Sequence, residues 1–314
     1  MNGRPGSGPA RTLARRALRA RPVGDAVRAA AGLGERALVL VYHRVVADAP
    51  SASAIVPTVA SDVFRRHVVS LADVGEIVPL ESLVGGIGRH ARPRFALTFD
   101  DDLLSHVEHA LPILRSLGAP ATFFLSGRAL HGLGPYWFEV LEREIHGRGL
   151  AAVARELSID ADRPEALAVA CERDRSLQAR LEDRPGEPGP RLQHGDIEAL
   201  AAAGMSIGFH TLRHRIMPAL PPGELEADLV EGREDLEAVV GRRIQLFAYP
   251  HGKADPRTAA AVRRADYRAA FTGRPSPVVR GVDPYLLGRW EPGPLSVDDL
   301  LVGTAIRLTR GAAR

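Results

Sequence analysis

An apolar run that ends in three consecutive aspartates is the feature that most constrains this 314-residue chain. Residues 94–99 have the sequence Arg-Phe-Ala-Leu-Thr-Phe, and Asp100, Asp101 and Asp102 follow directly. This pattern predicts a buried strand that ends at a sheet edge, where ligands bind in α/β folds. Adjacent carboxylates repel one another, and a bound divalent cation is one way to offset that repulsion. The alternative is a solvated loop or a helix N-cap of acids, since negative charge is favourable near a helix N-terminus.

Apolar strands alternate with helical patterns along most of the chain, which predicts a parallel sheet or barrel. The predicted strands are 37–43, 76–80, 94–99, 121–125, 205–209, 246–249 and 269–272, and the predicted helices include one that begins at Ser61, 107–117, one that ends near 203, 224–240, 256–265 and 296–310. Ser296 and Asp299 form a capping-box pattern at the start of the last of these helices.

Two segments differ from this pattern, and a third ends the chain. Residues 136–193 begin with aromatic side chains and continue with charged, alanine-rich sequence and a Pro/Gly loop, so we predict a helical insertion within a main domain at 37–295. Residues 1–36 contain eight arginines and two acids, which predicts a basic, partly disordered arm. Such an arm could touch anionic lipid or remain a solvated tail. Residues 296–314 are expected to form the C-terminal helix.

Composition narrows the classes of function. The chain has 41 basic and 38 acidic residues, a net charge of only +3, and we find no nucleic-acid recognition motif, so no nucleic-acid partner is predicted. The single cysteine, Cys171, excludes an intrachain disulfide and a multi-cysteine zinc site. No apolar run approaches the ~20 residues of a membrane span or the ~7–15 of a signal peptide. We therefore expect a cytoplasmic protein, including at the inner face of the membrane.

Polar residues collect at the predicted strand ends, which face one side in a parallel barrel. They include His43, the aspartates, His210 and Tyr249. His210 and His214 are four residues apart, and a helical turn would place both imidazoles within reach of one ion. One carboxylate and two imidazoles leave open positions for water and substrate, as in catalytic zinc sites, although other first-row divalent ions accept the same ligands.

Four motifs resemble those of the polysaccharide deacetylase family, carbohydrate esterase family four. They are YHRV at 42–45, TFDD at 98–101, HTLRH at 210–214 and FAYPHG at 247–252, and the likeness covers about residues 37–290. The resemblance implies a distorted (β/α)7 TIM-like barrel. It also implies removal of N-acetyl groups from amino-sugar polymers with one divalent metal, usually zinc.

The resemblance also assigns roles to individual residues. It implies that Asp100 is the general base and that Asp101, His210 and His214 bind the metal. The backbone N–H of Tyr249 would help to hold the oxyanion.

The sequence departs from the family pattern in its general acid, because many members have a C-terminal Leu-x-x-His and His251 is the only histidine beyond His214. The YHRV start resembles members with permuted motif order, so His43 is the predicted general acid. His251 is the alternative, and a purely structural role for His43 is a further one.

Two other departures concern an arginine and a glycine. The third motif lacks the arginine that pairs with the base in many members, and Arg289 is either its replacement or a surface side chain beside Trp290. Asp102 stands where the family usually has glycine. It could be a helix N-cap, an added contact to substrate or a sign of altered activity.

These features predict a metal-dependent hydrolase that removes N-acetyl groups from N-acetylhexosamine units of a polysaccharide or its lipid-linked precursor. One alternative is an amidase that uses the same site on a small non-sugar amide. The other is a catalytically silent glycan-binding protein, which the presence of Asp100, Asp101, His210 and His214 disfavours.

Overall fold

The computed structural model describes Gly24, Asp25, Val27 and residues 36–309, apart from 86, 89 and 185–188. Its main sheet contains β1 (Arg36–Tyr42), β4 (Glu76–Ile77), β5 (Arg94–Asp100), β6 (Ala121–Leu125), β7 (Ser206–Phe209), β8 (Leu246–Ala248), β9 (Ala269–Phe271) and β10 (Val278–Val279), while β2 (Arg44–Val46) and β3 (Thr58–Ala60) form a separate parallel pair. The strand order is β10-β1-β5-β6-β7-β8-β9, with β4 also paired to β5. The pairings are parallel except that between β1 and β10.

A short segment, residues 287–290, connects the two ends of this curled sheet. Leu287 donates to the carbonyl of Ala270 in β9 over 3.0 Å, and Trp290 donates to the carbonyl of Val39 in β1 over 2.8 Å. The segment therefore lies between the last and first parallel strands. This architecture confirms the predicted distorted (β/α)7 barrel.

Helices cover the barrel and form the insertion. They are α1 (Ser61–Val74), α2 (Leu111–Leu117), α3 (Trp137–Arg148), α4 (Leu150–Leu157), α5 (Pro164–Glu172), α6 (Arg175–Glu182), α7 (His194–Ala202), α8 (Pro222–Asp228), α9 (Arg233–Val240), α10 (Pro256–Arg264) and α11 (Val297–Thr309), with a π-helical turn at His106–Ala110 and 3₁₀ turns at Leu80–Leu83, Arg128–His131, Met217–Ala219 and Pro250–Gly252. Helix α1 buries Phe64, Val68 and Leu71 against the strands, as its periodicity predicts.

Helices α3 to α6 enclose an apolar cluster of their own. Leu141, Val153, Leu167 and Cys171 are fully buried within it. Leu103, which follows the three aspartates, belongs to the same cluster. The insertion is thus packed directly beside the end of β5.

Two predicted elements differ from the structure. The helix predicted at 224–240 is divided into α8 and α9, because Gly232 adopts a left-handed conformation (φ 82°) that interrupts regular helix. The strand predicted at 76–80 ends at Ile77. Pro79 has no N–H for a strand ladder and instead precedes a 3₁₀ turn.

The two ends of the chain are only partly described. The predicted basic arm lies almost entirely outside the described residues, so its contact with lipid stays a prediction. At the other end Ser296 Oγ accepts the N–H of Asp299 over 3.1 Å, as the capping pattern predicts. None of the described helices has both the length and the apolar composition of a membrane span.

Candidate active site

The three aspartates are all buried, but each has different surroundings. Their exposed fractions are 3% for Asp100, 4% for Asp101 and 6% for Asp102. Asp101 has a positive φ of 71°, which turns the chain as it leaves β5. Asp100 and Asp101 line a cavity of about 370 Å³, whereas Asp102 is absent from its lining.

Asp100 forms a bidentate ion pair with Arg289. The two terminal guanidinium nitrogens each lie 2.6 Å from one carboxylate oxygen. Arg289 is only 2% exposed, so it is not the surface side chain of the alternative hypothesis. Burial alone would raise the pKa of Asp100, but Arg289 outweighs it and lowers the pKa to about 2. Asp100 is therefore ionised and fixed in orientation.

Asp101, His210 and His214 form a group with the composition of a metal site. One ligand atom from each lies within 4.8 Å of the others. Asp101 Oδ1 is 3.4 Å from His214 Nε2 and 3.7 Å from His210 Nε2. This buried oxygen has no hydrogen-bond partner among the described residues. A divalent ion bound by the three side chains would satisfy it, so the residues fit such a group.

The protonation states of these residues also suit a metal. His210 Nδ1 donates to the Ala248 carbonyl over 2.8 Å, which leaves the Nε2 lone pair on the side of Asp101. Burial lowers the pKa of His210 to about 4 and that of His214 well below its ordinary value. Burial raises the pKa of Asp101 to about 7, and the charge of Asp100 adds to the rise. A cation would favour the ionised form of Asp101.

The two imidazoles are brought together by bends, and the predicted helical turn at 210–214 is wrong. Thr211 and His214 have positive φ values of 60° and 48°. The hydroxyl of Thr211 accepts the His214 N–H over 3.0 Å and stabilises this turn. The ring centroids of His210 and His214 lie 4.9 Å apart, so their predicted proximity holds although the backbone geometry differs.

His43 lies in the cavity opposite an acid that sequence reasoning did not find. Its Nδ1 is 3.0 Å from Oε1 of Glu291, which directly follows the segment that closes the barrel. Burial alone would lower the pKa of His43, but Glu291 outweighs it and raises the pKa to about 9. His43 is therefore an imidazolium at neutral pH. Glu291 has no motif signal of its own, because only the closed barrel brings it to β1.

His251 has a glutamate partner as well. Its Nδ1 is 2.8 Å from Oε1 of Glu172, and Lys253 Nζ is 2.8 Å from Oε2 of the same residue. The hydrogen bond from His251 is the main cause that lowers the pKa of Glu172 to about 2. Glu172 ends α5 of the insertion, so its approach to this turn depends on tertiary packing.

The structure excludes Tyr249 as the oxyanion donor, and that prediction is wrong. The Tyr249 N–H donates to the Phe271 carbonyl over 3.0 Å as part of the sheet. Its hydroxyl donates to the carbonyl of Tyr285 over 2.9 Å, with the ring in the barrel core. Neither group is directed to the cavity.

Asp102 supports a neighbouring loop. Its carboxylate accepts the N–H groups of Ser126 and Arg128 over 2.8 and 2.9 Å. It is therefore neither the N-cap of the helix that follows it nor a wall of the cavity that Asp100 and Asp101 line. Its place in the fold is to hold the loop after β6.

Apolar side chains from the insertion complete one wall of the cavity. The rings of Tyr136 and Phe138 pack against His214 at centroid distances of 5.0 and 5.4 Å. Trp137, Phe138 and Val169 line the cavity itself. The site is thus a concave, partly apolar cavity with a few convergent polar groups, as ligand sites generally are.

Comparison with known proteins gives matches at several levels. The family model described as polysaccharide deacetylase matches residues 88–270. An uncharacterized protein of Streptomyces coelicolor, SCO4760, is 30% identical over 144 residues, which are 45% of this chain and 57% of that protein. The chain therefore spans little more than half the length of this curated relative.

Two solved structures share the fold. The Streptococcus pyogenes deacetylase PplD, in complex with acetate, superposes with a TM-score of 0.61 at 17% identity, covering 86% of this chain and 98% of its own. IcaB from Ammonifex degensii superposes with a TM-score of 0.59 at 21% identity, covering 88% of this chain and 98% of its own.

Proposed function

Because the chain belongs to the polysaccharide deacetylase family, we propose that it is a metal-dependent hydrolase that removes N-acetyl groups from N-acetylhexosamine units of a polysaccharide or its lipid-linked precursor. The observation that most supports this is the placement of the Asp100–Arg289 pair beside Asp101, His210 and His214 in one cavity. The Asp100–Arg289 pair would supply an oriented base, and the other three residues would supply a ligand set for a divalent ion.

Asp100 is the proposed general base. Its pKa of about 2 keeps it ionised at neutral pH, but it also makes the carboxylate a weak base. A divalent ion held by Asp101, His210 and His214 would lower the pKa of a bound water and polarise the amide carbonyl. Asp100 then has only to accept a proton from an already acidified water, and Arg289 keeps the carboxylate in place for that transfer. Zinc suits this ligand set.

His43 is the proposed general acid. Cleavage of the amide C–N bond requires a proton for the departing amine, and an imidazolium near neutral pH is a suitable donor. The carboxylate of Glu291, 3.0 Å from His43 Nδ1, favours the protonated form of this ring, which lines the cavity. His251 is the second candidate because it lines the same cavity and has Glu172 as its partner.

The cavity's size and walls bear on the substrate. The volume of about 370 Å³, bounded on one side by the insertion, lies at the lower end of the range of ligand cavities. A small non-sugar amide would use the same residues and is the second candidate substrate. The complete set of base, arginine partner and ligand residues argues against a silent glycan-binding protein. Action in the cytoplasm, at the inner face of the membrane, stays a prediction of the sequence.

An acetate-release assay tests this proposal. The panel contains N-acetylated oligosaccharides of several lengths, lipid-linked N-acetylhexosamine precursors and simple non-sugar amides. We expect zinc-loaded protein to release acetate from the sugar substrates and chelator-treated protein to release none. Release from the non-sugar amides alone would favour the amidase. No release from any compound, with zinc present, would contradict the proposal.

A further inference from the structure

A second and larger cavity adjoins the catalytic one. Its volume is about 1030 Å³, and the two cavities share Trp137, Glu172, His214 and His251 as wall residues. A substrate whose acetamide lies beside His214 therefore has direct access to this second space. The function proposed above does not use it.

Arginines dominate the charged lining of this cavity. They are Arg128, Arg173, Arg175, Arg213 and Arg215. Two of them are neutralised by acids: Arg213 pairs with Glu231 over 2.7 Å, and Arg215 with Asp228 over 2.6 Å.

Three of the arginines form no ion pair in the described part of the chain. Among the described residues, Arg128, Arg173 and Arg175 have no carboxylate oxygen within 4.0 Å, and Arg173 and Arg175 are exposed. Of the lining acids, Glu231 is paired with Arg213 and Glu172 with Lys253, and the charge of Glu182 acts on Arg128. The excess of positive charge in the cavity is therefore carried by Arg173 and Arg175.

Arg128 is held rigidly at the inner end of this cluster. It is 7% exposed, and its guanidinium donates to the carbonyls of Gly134 and Leu212 over 3.0 and 3.3 Å. The same group lies 4.1 Å from the centroid of the Tyr136 ring. The charges of Glu139 and Glu182 act on Arg128 through space without forming an ion pair with it, and a bound anion would offset its charge further.

We propose that this second cavity binds an anionic group of the substrate, a phosphate or a carboxylate attached to the glycan near the N-acetylated sugar. Guanidinium groups match the oxygens of both in paired hydrogen bonds. Lys253 neutralises Glu172 on the shared wall and so reduces repulsion of an anion that passes it. This inference rests on the proposed function, because it names the class of glycan that the deacetylase site receives.

Two double variants of the full, zinc-loaded chain test the proposal. Arg173→Gln with Arg175→Gln removes two charges from the cavity. Arg65→Gln with Arg163→Gln removes two from exposed positions outside its lining and is the matched control. The substrates are a neutral N-acetylglucosamine tetrasaccharide, the same compound with a terminal phosphate, and a tetrasaccharide that alternates N-acetylglucosamine with glucuronate.

We expect the cavity variant to lose about tenfold or more in kcat/KM on the phosphorylated substrate, the uronate substrate or both, in line with loss of charge-assisted hydrogen bonds. The charged substrate on which the cavity variant loses activity shows whether the cavity binds a phosphate or a carboxylate. The neutral substrate and the control variant should change little. Equal effects on neutral and charged substrates, or none, would overturn the inference.

A binding measurement separates this inference from the proposed function. In calorimetric titrations, glucose 1-phosphate is the anionic ligand and glucose is its neutral control. The cavity variant should bind glucose 1-phosphate more weakly than the wild type does, and the control variant should bind it as the wild type does. Equal turnover of neutral and charged substrates would contradict the anion site but not the proposed deacetylase function. If the wild type releases no acetate from any of the three substrates, the proposed function itself fails, whatever the titration shows.

Discussion

Arg289 binds both carboxylate oxygens of Asp100, each over 2.6 Å, in the interior of the barrel. Arg289 belongs to the segment 287–290, which hydrogen-bonds β9 to β1. The closure of the barrel and the orientation of the proposed base therefore depend on the same four residues. The pair is almost fully buried, and removal of one partner from such a pair typically costs about 3–5 kcal/mol.

Replacement of Arg289 by glutamine should therefore affect both stability and activity. We expect about 3–5 kcal/mol of lost stability in denaturant titrations. The acid limb of the pH–kcat/KM profile should also move to higher pH, since Asp100 loses the cation that lowers its pKa. The depressed pKa contributes stability above the unfolded value of about 3.9, which is lost as pH falls through about 2. An unshifted acid limb would contradict this role for Arg289.

Glu291→Gln should shift the basic limb of the same profile. As the proposed general acid, His43 would act as the imidazolium, so activity should fall as pH rises through about 9 in the wild type. Loss of the Glu291 charge lowers the pKa of His43 and moves this limb to lower pH. His43→Ala should lose about 10²–10⁴-fold in kcat.

The control for His43 is His194→Ala, which removes an exposed imidazole that also faces a glutamate. It should leave the pH profile unchanged. Normal turnover by His43→Ala with an unshifted basic limb would remove His43 as the general acid.

Glu172→Gln distinguishes His43 from His251. If Glu172 only secures the wall formed by His251 and Lys253, the variant should raise KM and change kcat by a few fold at most. Glu165→Gln, an exposed position on the same helix, is the matched control. A large fall in kcat with a shifted basic limb would instead identify His251 as the general acid.

Metal binding should depend on Asp101, His210 and His214 and on pH. Wild-type protein should retain one zinc per chain and gain thermal stability when zinc is added, whereas Asp101→Asn and His214→Ala should do neither. Because the pKa of metal-free Asp101 is about 7, the affinity should weaken as pH falls below that value. Stoichiometric zinc in His214→Ala, by elemental analysis, would contradict this ligand set.

The sequence predicts those parts of the site that depend on local pattern. Apolar runs locate β1, β5 and β7 to within about a residue, and the polar residues after them, such as His43 and Asp100, are found for the same reason. Asp102 shows the limit of this approach. Its carboxylate oxygens accept hydrogen bonds from the loop after β6. That loop lies about two dozen residues later in the chain and is brought close only by strand pairing.

The remaining features depend on tertiary structure and on backbone dihedrals. The Tyr249 amide is part of a ladder with Phe271, and no property of the FAYPHG motif reveals that partner. Glu172 and Glu291 reach the site from the insertion and from the closing segment. The left-handed conformation of Thr211 is contrary to the preference of a β-branched residue, so sequence favours the helical turn that the structure lacks.

Acetate release by Asp100→Asn with its zinc content measured on the same sample tests the central claim most directly. Asp100 is the proposed base and not a ligand, so the variant should retain one zinc per chain and lose about 10²–10⁴-fold in kcat on any substrate that the wild type accepts. Wild-type turnover by the zinc-loaded Asp100→Asn variant would contradict the mechanism.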